Sequence, residues 1–285
     1  MTLNDISERY GLEDEERRIF AEYTGNRFAE AEEADVQDTG FLAPWYKILD
    51  YAGLFGVEKA INDKLLSKRP VDFRSTDTLS IEIYDSFAGK IPVIYARDTQ
   101  DFEQLVTNIA YKGVRPEGLS TTGASFISGK TTRFILLSAK PYSNVPAAEL
   151  GLSDEAEWEE KSLILRRGHE CTHYFTKQVY GISNNILHDE IMADFIGMQE
   201  AFGFYKAEWF LRFMGIIEGS GGRFSFYTNA LPERIRGAVS ELARCASYGL
   251  EAWSKREDFL SMTTGKRIRA MCLAGLEGMC NLSNV

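Results

Sequence analysis

Residues 167–173 read Arg167-Gly168-His169-Glu170-Cys171-Thr172-His173. The stretch holds two of the three histidines of the 285-residue chain, and a glutamate directly follows the first. On a helix, residues four apart lie on one face, one turn from each other, so both imidazoles can bind a single metal ion. Glu170 then lies close enough to act on a water molecule at that ion. The H-E-x-x-H pattern therefore predicts a zinc-binding helix of a metallohydrolase.

A catalytic zinc ion needs a third protein ligand, with water in the fourth position. The third histidine lies in a segment that reads Leu187-His188-Asp189-Glu190-Ile191-Met192-Ala193-Asp194. His188, Asp189 and Glu190 are adjacent candidates. A metal-ligating histidine usually donates its other ring N–H to a carboxylate, and only Glu190 has a second carboxylate, Asp194, four residues further along the helix. We therefore favour Glu190 as the ligand and expect His188 to be an exposed residue at a helix start.

H-E-x-x-H followed by a separate E-x-x-x-D helix resembles the gluzincin group of zinc peptidases, which includes thermolysin-like enzymes and the CAAX prenyl proteases. The resemblance covers only about residues 165–198. It implies that the ligands of Zn²⁺ are His169, His173 and Glu190. It also implies that Glu170 is the general base and that Asp194 orients His169. The metzincin group is excluded, because Thr176 and Val179 stand where its pattern has Gly and His.

Two further expectations come from the same resemblance. Gluzincins often place a Tyr, His or Arg downstream of the ligands to stabilise the oxyanion. Arg223 and Tyr227 follow the glycine-rich run at 219–222 and are candidates for that role. In zincin-like folds, the strand before the active-site helix commonly lies along the cleft and pairs with an extended substrate. That makes residues 132–138 the candidate edge strand.

The sequence around the motif predicts two helices joined by a short turn. Ser and Asp at 153–154, followed by several glutamates, are typical of a helix N-terminus, and Gly181 predicts the end of that helix. Ser-Asn-Asn at 183–185 predicts a turn, and a second helix is expected over 186–202. Helices joined by so short a turn run roughly antiparallel, which brings Glu190 back toward the histidines.

The remaining sequence predicts an α+β fold. We expect a zincin-like core, made of a small mixed or antiparallel sheet plus the active-site helix, with helical N- and C-terminal parts. Alternating apolar residues predict a hairpin with strands at 79–84 and 91–95 and a second with strands at 124–127 and 133–138. Helices are expected at 101–111, 232–248 and 266–279.

Three consecutive regions are expected along the chain. An acidic, mainly helical N-terminal region would cover 1–74, the zincin-like core with the metal site 75–202, and a helical C-terminal subdomain 203–285. Twelve acidic residues and four arginines lie in residues 1–38. Such a segment is typical of a solvated helical face.

Residues 124–131 satisfy a loosened phosphate-loop pattern, with Ala in place of the first Gly. The chemistry of that loop needs a glycine-rich turn that leads into a helix, whose amides bind phosphate. Here the interior of the pattern is Phe126-Ile127, and the following residues favour a strand. The hairpin is therefore favoured over a nucleotide-binding loop.

Composition narrows the classes of function. The net charge of −10 disfavours nucleic-acid binding, and no apolar run approaches the length of about 20 residues that spans a bilayer. The N-terminus lacks the features of a signal peptide, and the four widely spaced cysteines indicate reduced thiols of a cytoplasmic protein, with Cys171 in the core. We expect a cytoplasmic zinc peptidase that acts on peptide or protein substrates. The alternative is a catalytically inactive zincin-like scaffold used for regulation or protein binding.

Overall fold

The computed structural model describes residues 1–34, 39–66, 68–129, 133–182, 186–217 and 222–284. These residues form a mixed α+β fold with twelve α-helices and four β-strands, which confirms the expected α+β class, whereas the zincin-like core remains a prediction. Two compact units divide the chain, one made of residues 36–170 and the other of residues 1–35 and 171–285. The boundary at 170/171 falls inside one continuous helix. The expected division into three consecutive regions remains a prediction.

The elements follow one another in a simple order. The strands are β1 (Leu79–Ser86), β2 (Gly89–Ala96), β3 (Ala124–Ser128) and β4 (Arg133–Leu137). The helices are α1 (Leu3–Arg9), α2 (Asp14–Thr24), α3 (Leu42–Phe55), α4 (Val57–Lys64), α5 (Thr99–Ile109), α6 (Glu155–Tyr180), α7 (Leu187–Phe202), α8 (Ala207–Met214), α9 (Phe224–Thr228), α10 (Glu233–Trp253), α11 (Glu257–Ser261) and α12 (Thr264–Met279).

The unit of residues 36–170 contains a four-stranded mixed sheet in the order β1-β2-β4-β3. β1 pairs with β2 and β3 with β4 in antiparallel fashion, so both expected hairpins are confirmed. β2 and β4 pair in parallel, with Val93 opposite Ile135. Residues 130 and 131, the last two positions of the disfavoured phosphate-loop pattern, lie outside the described residues, whereas the strands on either side pair as a hairpin.

The expected edge strand at 132–138 is wrong. β4 lies between β2 and β3, so it has a neighbour on each side. Its apolar run from Phe134 to Leu137 is 0% exposed, and a continuous apolar run is typical of a strand that is covered on both faces. β3, whose residues are at most half-buried, is the edge strand next to β4. Local alternation predicts a strand, but non-local pairing decides its place in the sheet.

Helices α3 and α5 cover the inner strands of this unit. Trp45 of α3 packs on Phe134, with 5.0 Å between ring centroids. On α5, Phe102 and Leu105 are fully buried. The helix begins where the Asp98 side chain accepts hydrogen bonds from two backbone amides of its first turn, which is an N-cap. Both helices therefore bury apolar side chains against the sheet.

The other unit is all-helical within its described residues. The expected helices at 232–248 and 266–279 are confirmed as α10 and α12, and α10 contacts α1, α2, α7, α8 and α12. An aromatic cluster of Phe195, Tyr205, Trp253 and Phe259 packs beneath α7 with ring centroids 4.7–6.0 Å apart. None of the helices in the described part of the chain is both long enough and apolar enough to cross a membrane.

Candidate metal centre

Helix α6 is a single helix of 26 residues that carries the whole H-E-x-x-H motif. It ends where expected, because Gly181 takes a positive φ of 68° and its amide donates to the carbonyl of Lys177 at 3.1 Å. His169 and His173 lie one turn apart and are both buried, whereas Glu170 is half-buried. Cys171 is 0% exposed, which confirms that it belongs to the core.

Helix α7 supplies the third predicted ligand. Glu190 is buried in its first turn, and its Oε1 lies 3.5 Å from Nε2 of His173. The turn expected at 183–185, between the two helices, lies outside the described residues. His169, His173 and Glu190 each offer one ligand atom, and these atoms lie within 4.8 Å of one another. Two imidazole nitrogens and one carboxylate oxygen are donors that catalytic zinc sites use, so the residues fit this metal.

His188 and Asp189, the other two candidates for the third ligand, are not members of this group among the described residues. His188 was expected to be exposed, and this is wrong: it is 2% exposed. Its Nε2 lies 3.1 Å from the carbonyl oxygen of Met271 in α12, and Phe28 packs edge-on against its ring. Burial lowers the pKa of His188 to about 4, which keeps the ring neutral. The helix start is buried because distant segments cover it.

Asp194 pairs with an arginine. The guanidinium of Arg223 donates to the Asp194 carboxylate through Nη2, and its Nη1 lies 3.3 Å from Oε2 of Glu190. Asp194 is 0% exposed, so its charge is fully removed from water. Because Oε1 of Glu190 faces His173 and Oε2 faces Arg223, the arginine holds the carboxylate with one oxygen directed to the histidines. The expected contact of Asp194 with His169 remains a prediction.

Tyr227 contacts the same carboxylate. Its hydroxyl hydrogen-bonds to Glu190, and burial together with the nearby Glu190 charge raises the pKa of Tyr227 well above its usual range. The phenol therefore stays protonated and can donate to the carboxylate. Arg223 and Tyr227, the two residues predicted to stabilise the oxyanion, thus both contact the predicted ligand Glu190.

Tyr142 is a member of the site that sequence reasoning missed. Its hydroxyl oxygen lies 3.0 Å from Nδ1 of His169, and the tyrosine is 4% exposed. Tyr142 precedes His169 by 27 residues and lies in a short 3₁₀ turn after β4. No spacing rule connects these positions, so the sequence offers no signal that would have found the contact.

The chain before Tyr142 is attached to helix α6. Arg166, which is 3% exposed, donates to the backbone carbonyls of Ser138, Lys140 and Pro141 at distances of 3.1, 2.5 and 2.9 Å. Ser162 accepts a hydrogen bond from the amide of Tyr142 at 3.0 Å. Since both side chains come from the turns of α6 that precede His169, one helix positions the histidine and the loop that contacts it.

A comparison with protein-family models identifies the family of the chain. The Family of unknown function (DUF7005) matches residues 56–132 and 130–282. The chain belongs to this family. No curated protein and no solved structure matches the chain. The second DUF7005 segment contains every residue of the site described above, from Tyr142 to Tyr227.

Proposed function

We propose that this DUF7005 chain is a zinc-dependent metallohydrolase, and specifically a peptidase that cleaves peptide bonds. The observation that carries the proposal is the convergence of His169, His173 and Glu190, three buried groups with ligand atoms within 4.8 Å of one another. Buried charges and imidazoles are paired or coordinate metals, because burial without a partner is costly. The resemblance to gluzincins supports zinc as the metal.

Glu170 is the residue that makes the site catalytic rather than structural. A purely structural zinc site has no use for a carboxylate at that position of the motif. When bound, zinc supplies Lewis-acid activation of a water molecule and of the substrate carbonyl. Glu170 accepts the proton of the attacking water and delivers it to the leaving amine nitrogen, which is general acid–base catalysis by one group.

The remaining residues position the ligand carboxylate. Arg223 and Tyr227 each donate a hydrogen bond to Glu190, which limits the directions that its oxygens can take. Either group could also meet an oxyanion after the substrate carbonyl is attacked, and this role remains a prediction. Because both contact the ligand, a variant at either position changes metal binding as well as turnover.

A zincin-like core is part of the proposal. It is supported by the position of α6 beside the mixed sheet in the unit of residues 36–170. Arg167, two residues before the first histidine, donates to the hydroxyl of Tyr95 in β2 at 3.0 Å and stacks over the ring of Tyr84 in β1 at 4.0 Å. A helix that carries the motif and packs on a small sheet is the arrangement that the resemblance implies.

The first experiment measures metal content. Protein purified without an affinity tag should contain about one zinc ion per chain by elemental analysis, and a His169→Ala, His173→Ala double variant should contain none. A wild-type chain that binds no zinc at neutral pH, and gains none on dialysis against zinc, would refute the metal site.

The second experiment measures turnover. A peptide library is digested with wild type, with Glu170→Gln and with Glu159→Gln, an exposed glutamate of the same helix that serves as the matched control. We expect wild type and Glu159→Gln to cleave peptides. Glu170→Gln should contain the full amount of zinc but cleave nothing. Full zinc content without cleavage by wild type in any library would support the inactive scaffold instead.

A further inference from the structure

The two nitrogens of the His169 ring face different surroundings. Nδ1 lies 3.0 Å from the hydroxyl oxygen of Tyr142, a hydrogen-bonding distance. Because Tyr142 occupies Nδ1, Nε2 is the nitrogen that would bind a metal ion. His173 agrees with this arrangement, since its Nε2 is the atom that faces Oε1 of Glu190. Both rings then offer the same type of nitrogen to one ion.

A neutral imidazole carries its hydrogen on only one of the two nitrogens. If Nδ1 carries it, Nδ1 donates to Tyr142 and the lone pair of Nε2 is free to bind a metal. If Nε2 carries it, that nitrogen cannot bind a metal until the hydrogen moves. The direction of the hydrogen bond between Tyr142 and His169 therefore decides whether the ring is ready for the ion.

The position of Tyr142 beside His169 is fixed by its neighbours. Its amide donates to Ser162, and the guanidinium of Arg166 lies 5.4 Å from the centre of its ring. Arg166 also donates to three backbone carbonyls within residues 138–141. A Cβ atom added at Gly123 would lie 2.4 Å from Nε of Arg166, so the guanidinium is closely packed on that side. The tyrosine hydroxyl is thus held at His169 by backbone and side-chain contacts on both sides.

We infer that Tyr142 is a positioning residue, which accepts a hydrogen bond from Nδ1–H of His169, so that Nε2 is the nitrogen that binds the metal. The inference rests on the proposed function. It assigns to a neutral hydroxyl the task that Asp194 was expected to perform. A neutral acceptor orients the ring without adding a further negative charge beside the ligands.

The first test uses zinc alone as the probe. Metal-free wild type, Tyr142→Phe and Tyr180→Phe are titrated with zinc in competition with a chromophoric chelator. Tyr180 is the matched control, since it is 8% exposed and its hydroxyl donates to Oε1 of Glu33 at 3.0 Å. Loss of a group that orients a ligand typically weakens metal binding about 10–100-fold, and we expect this for Tyr142→Phe only.

The second test observes the tautomer directly and needs no metal. The chain has only three histidines, so ¹⁵N-histidine labelling gives a spectrum with few signals. At a fixed alkaline pH, His169 of metal-free wild type should carry its hydrogen on Nδ1, and Tyr142→Phe should lose or mix this state. A His169→Gln sample assigns the signals, and circular dichroism shows that each variant is folded.

The outcomes separate the two proposals. If wild type binds no zinc, the proposed function fails, whereas the tautomer measured in the metal-free protein still decides the role of Tyr142. If wild type binds zinc and Tyr142→Phe binds it equally well with His169 unchanged, the inference about Tyr142 is overturned while the metal site stands. A wild-type His169 with its hydrogen on Nε2 overturns it as well.

Discussion

Removal of the Asp194 charge should weaken metal binding through Arg223. The guanidinium of Arg223 is 19% exposed and binds two carboxylates, Glu190 at 4% and Asp194 at 0% exposure. While Asp194 is present, it offsets most of the arginine's positive charge. In Asp194→Asn, this offset is lost, so the arginine competes more strongly with a cation for the Glu190 carboxylate.

The size of the effect follows from the contact. Unit charges 3.3 Å apart, the distance from Arg223 to Glu190, interact by about 5 kcal/mol at an effective dielectric constant near 20. Part of this is offset by solvation and by movement of the side chains. We expect a loss of about 1.4–2.8 kcal/mol of binding free energy in Asp194→Asn, a dissociation constant for zinc raised about 10–100-fold.

A double-mutant cycle tests the reasoning. Zinc affinity is measured by chelator competition for Asp194→Asn, Arg223→Met and the double variant. If Asp194 acts through Arg223, Asp194→Asn should change zinc affinity less than about threefold when Arg223 is already Met. The difference from its effect in wild type is then a coupling free energy between the two residues of about 1 kcal/mol or more. A full loss in the Arg223→Met background would refute this and favour direct orientation of His169 by Asp194.

Folding of the same variants provides a control. Removing one partner of a buried ion pair costs about 3–5 kcal/mol, because the other charge stays buried without compensation. Arg223→Met should therefore lower the unfolding free energy more than the double variant does. Urea denaturation of the metal-free proteins measures both values. Affinities are compared only at temperatures where every variant is folded.

Three further outcomes are expected. Tyr227→Phe removes one hydrogen bond to the ligand carboxylate and should weaken zinc binding by about 0.5–1.5 kcal/mol, again by chelator competition; an unchanged affinity would contradict the contact. A hydrogen bond from Cys280 lowers the pKa of Cys245 to about 7, so the rate at which iodoacetamide labels Cys245 should rise as pH increases through 7. In Cys280→Ala, labelling of Cys245 at pH 7 should be slower, and mass spectrometry identifies the labelled residue. Equal rates in both proteins would contradict this. Trp45→Ala should lower the unfolding free energy by about 3–5 kcal/mol, because Trp45 is buried. Tyr46→Ala, at the exposed neighbouring position, should change it little. Similar losses in both variants would contradict the packing of α3 on the sheet.

The parts of the site that the sequence predicted depend on local geometry. His169 and His173 share a face because a helix repeats every 3.6 residues, and Gly181 ends that helix because glycine takes a positive φ easily. The choice of Glu190 among three adjacent candidates also depended on helical phase. Such rules act over one or two turns, so one sequence is enough to apply them.

The parts that were missed depend on contacts between distant segments. Tyr142 reaches His169 because Arg166 fixes the loop after β4, and the burial of His188 comes from Phe28 and α12. β4 is an inner strand because it pairs in parallel with β2. The alternation of residues within β4 does not predict this pairing. Each of these facts needs the position of a segment far away in the chain, and a single sequence does not supply it.

The E-x-x-x-D spacing itself is compatible with two different chemistries. Residues four apart on a helix share a face, so Asp194 could orient a histidine or could join Glu190 in binding one guanidinium. Like charges at this spacing repel, and the repulsion is larger in a buried helix, which gives Arg223 a clear role between them. The spacing predicts that the two carboxylates lie on one face of the helix. It does not determine whether Asp194 binds a histidine or a guanidinium.

Formal charges of the described side chains show why an arginine beside the proposed ligand Glu190 is compatible with a divalent ion. Glu170, Glu190 and Asp194 are three carboxylates, and Arg223 contributes one positive charge. Among these four described residues, two negative charges remain, which the proposed divalent cation would neutralise. A carboxylate in place of Tyr142 would add a third, whereas the tyrosine hydroxyl orients His169 and leaves this balance unchanged. A neutral hydroxyl at His169 therefore adds no further charge to the site, and charge buried without compensation is costly.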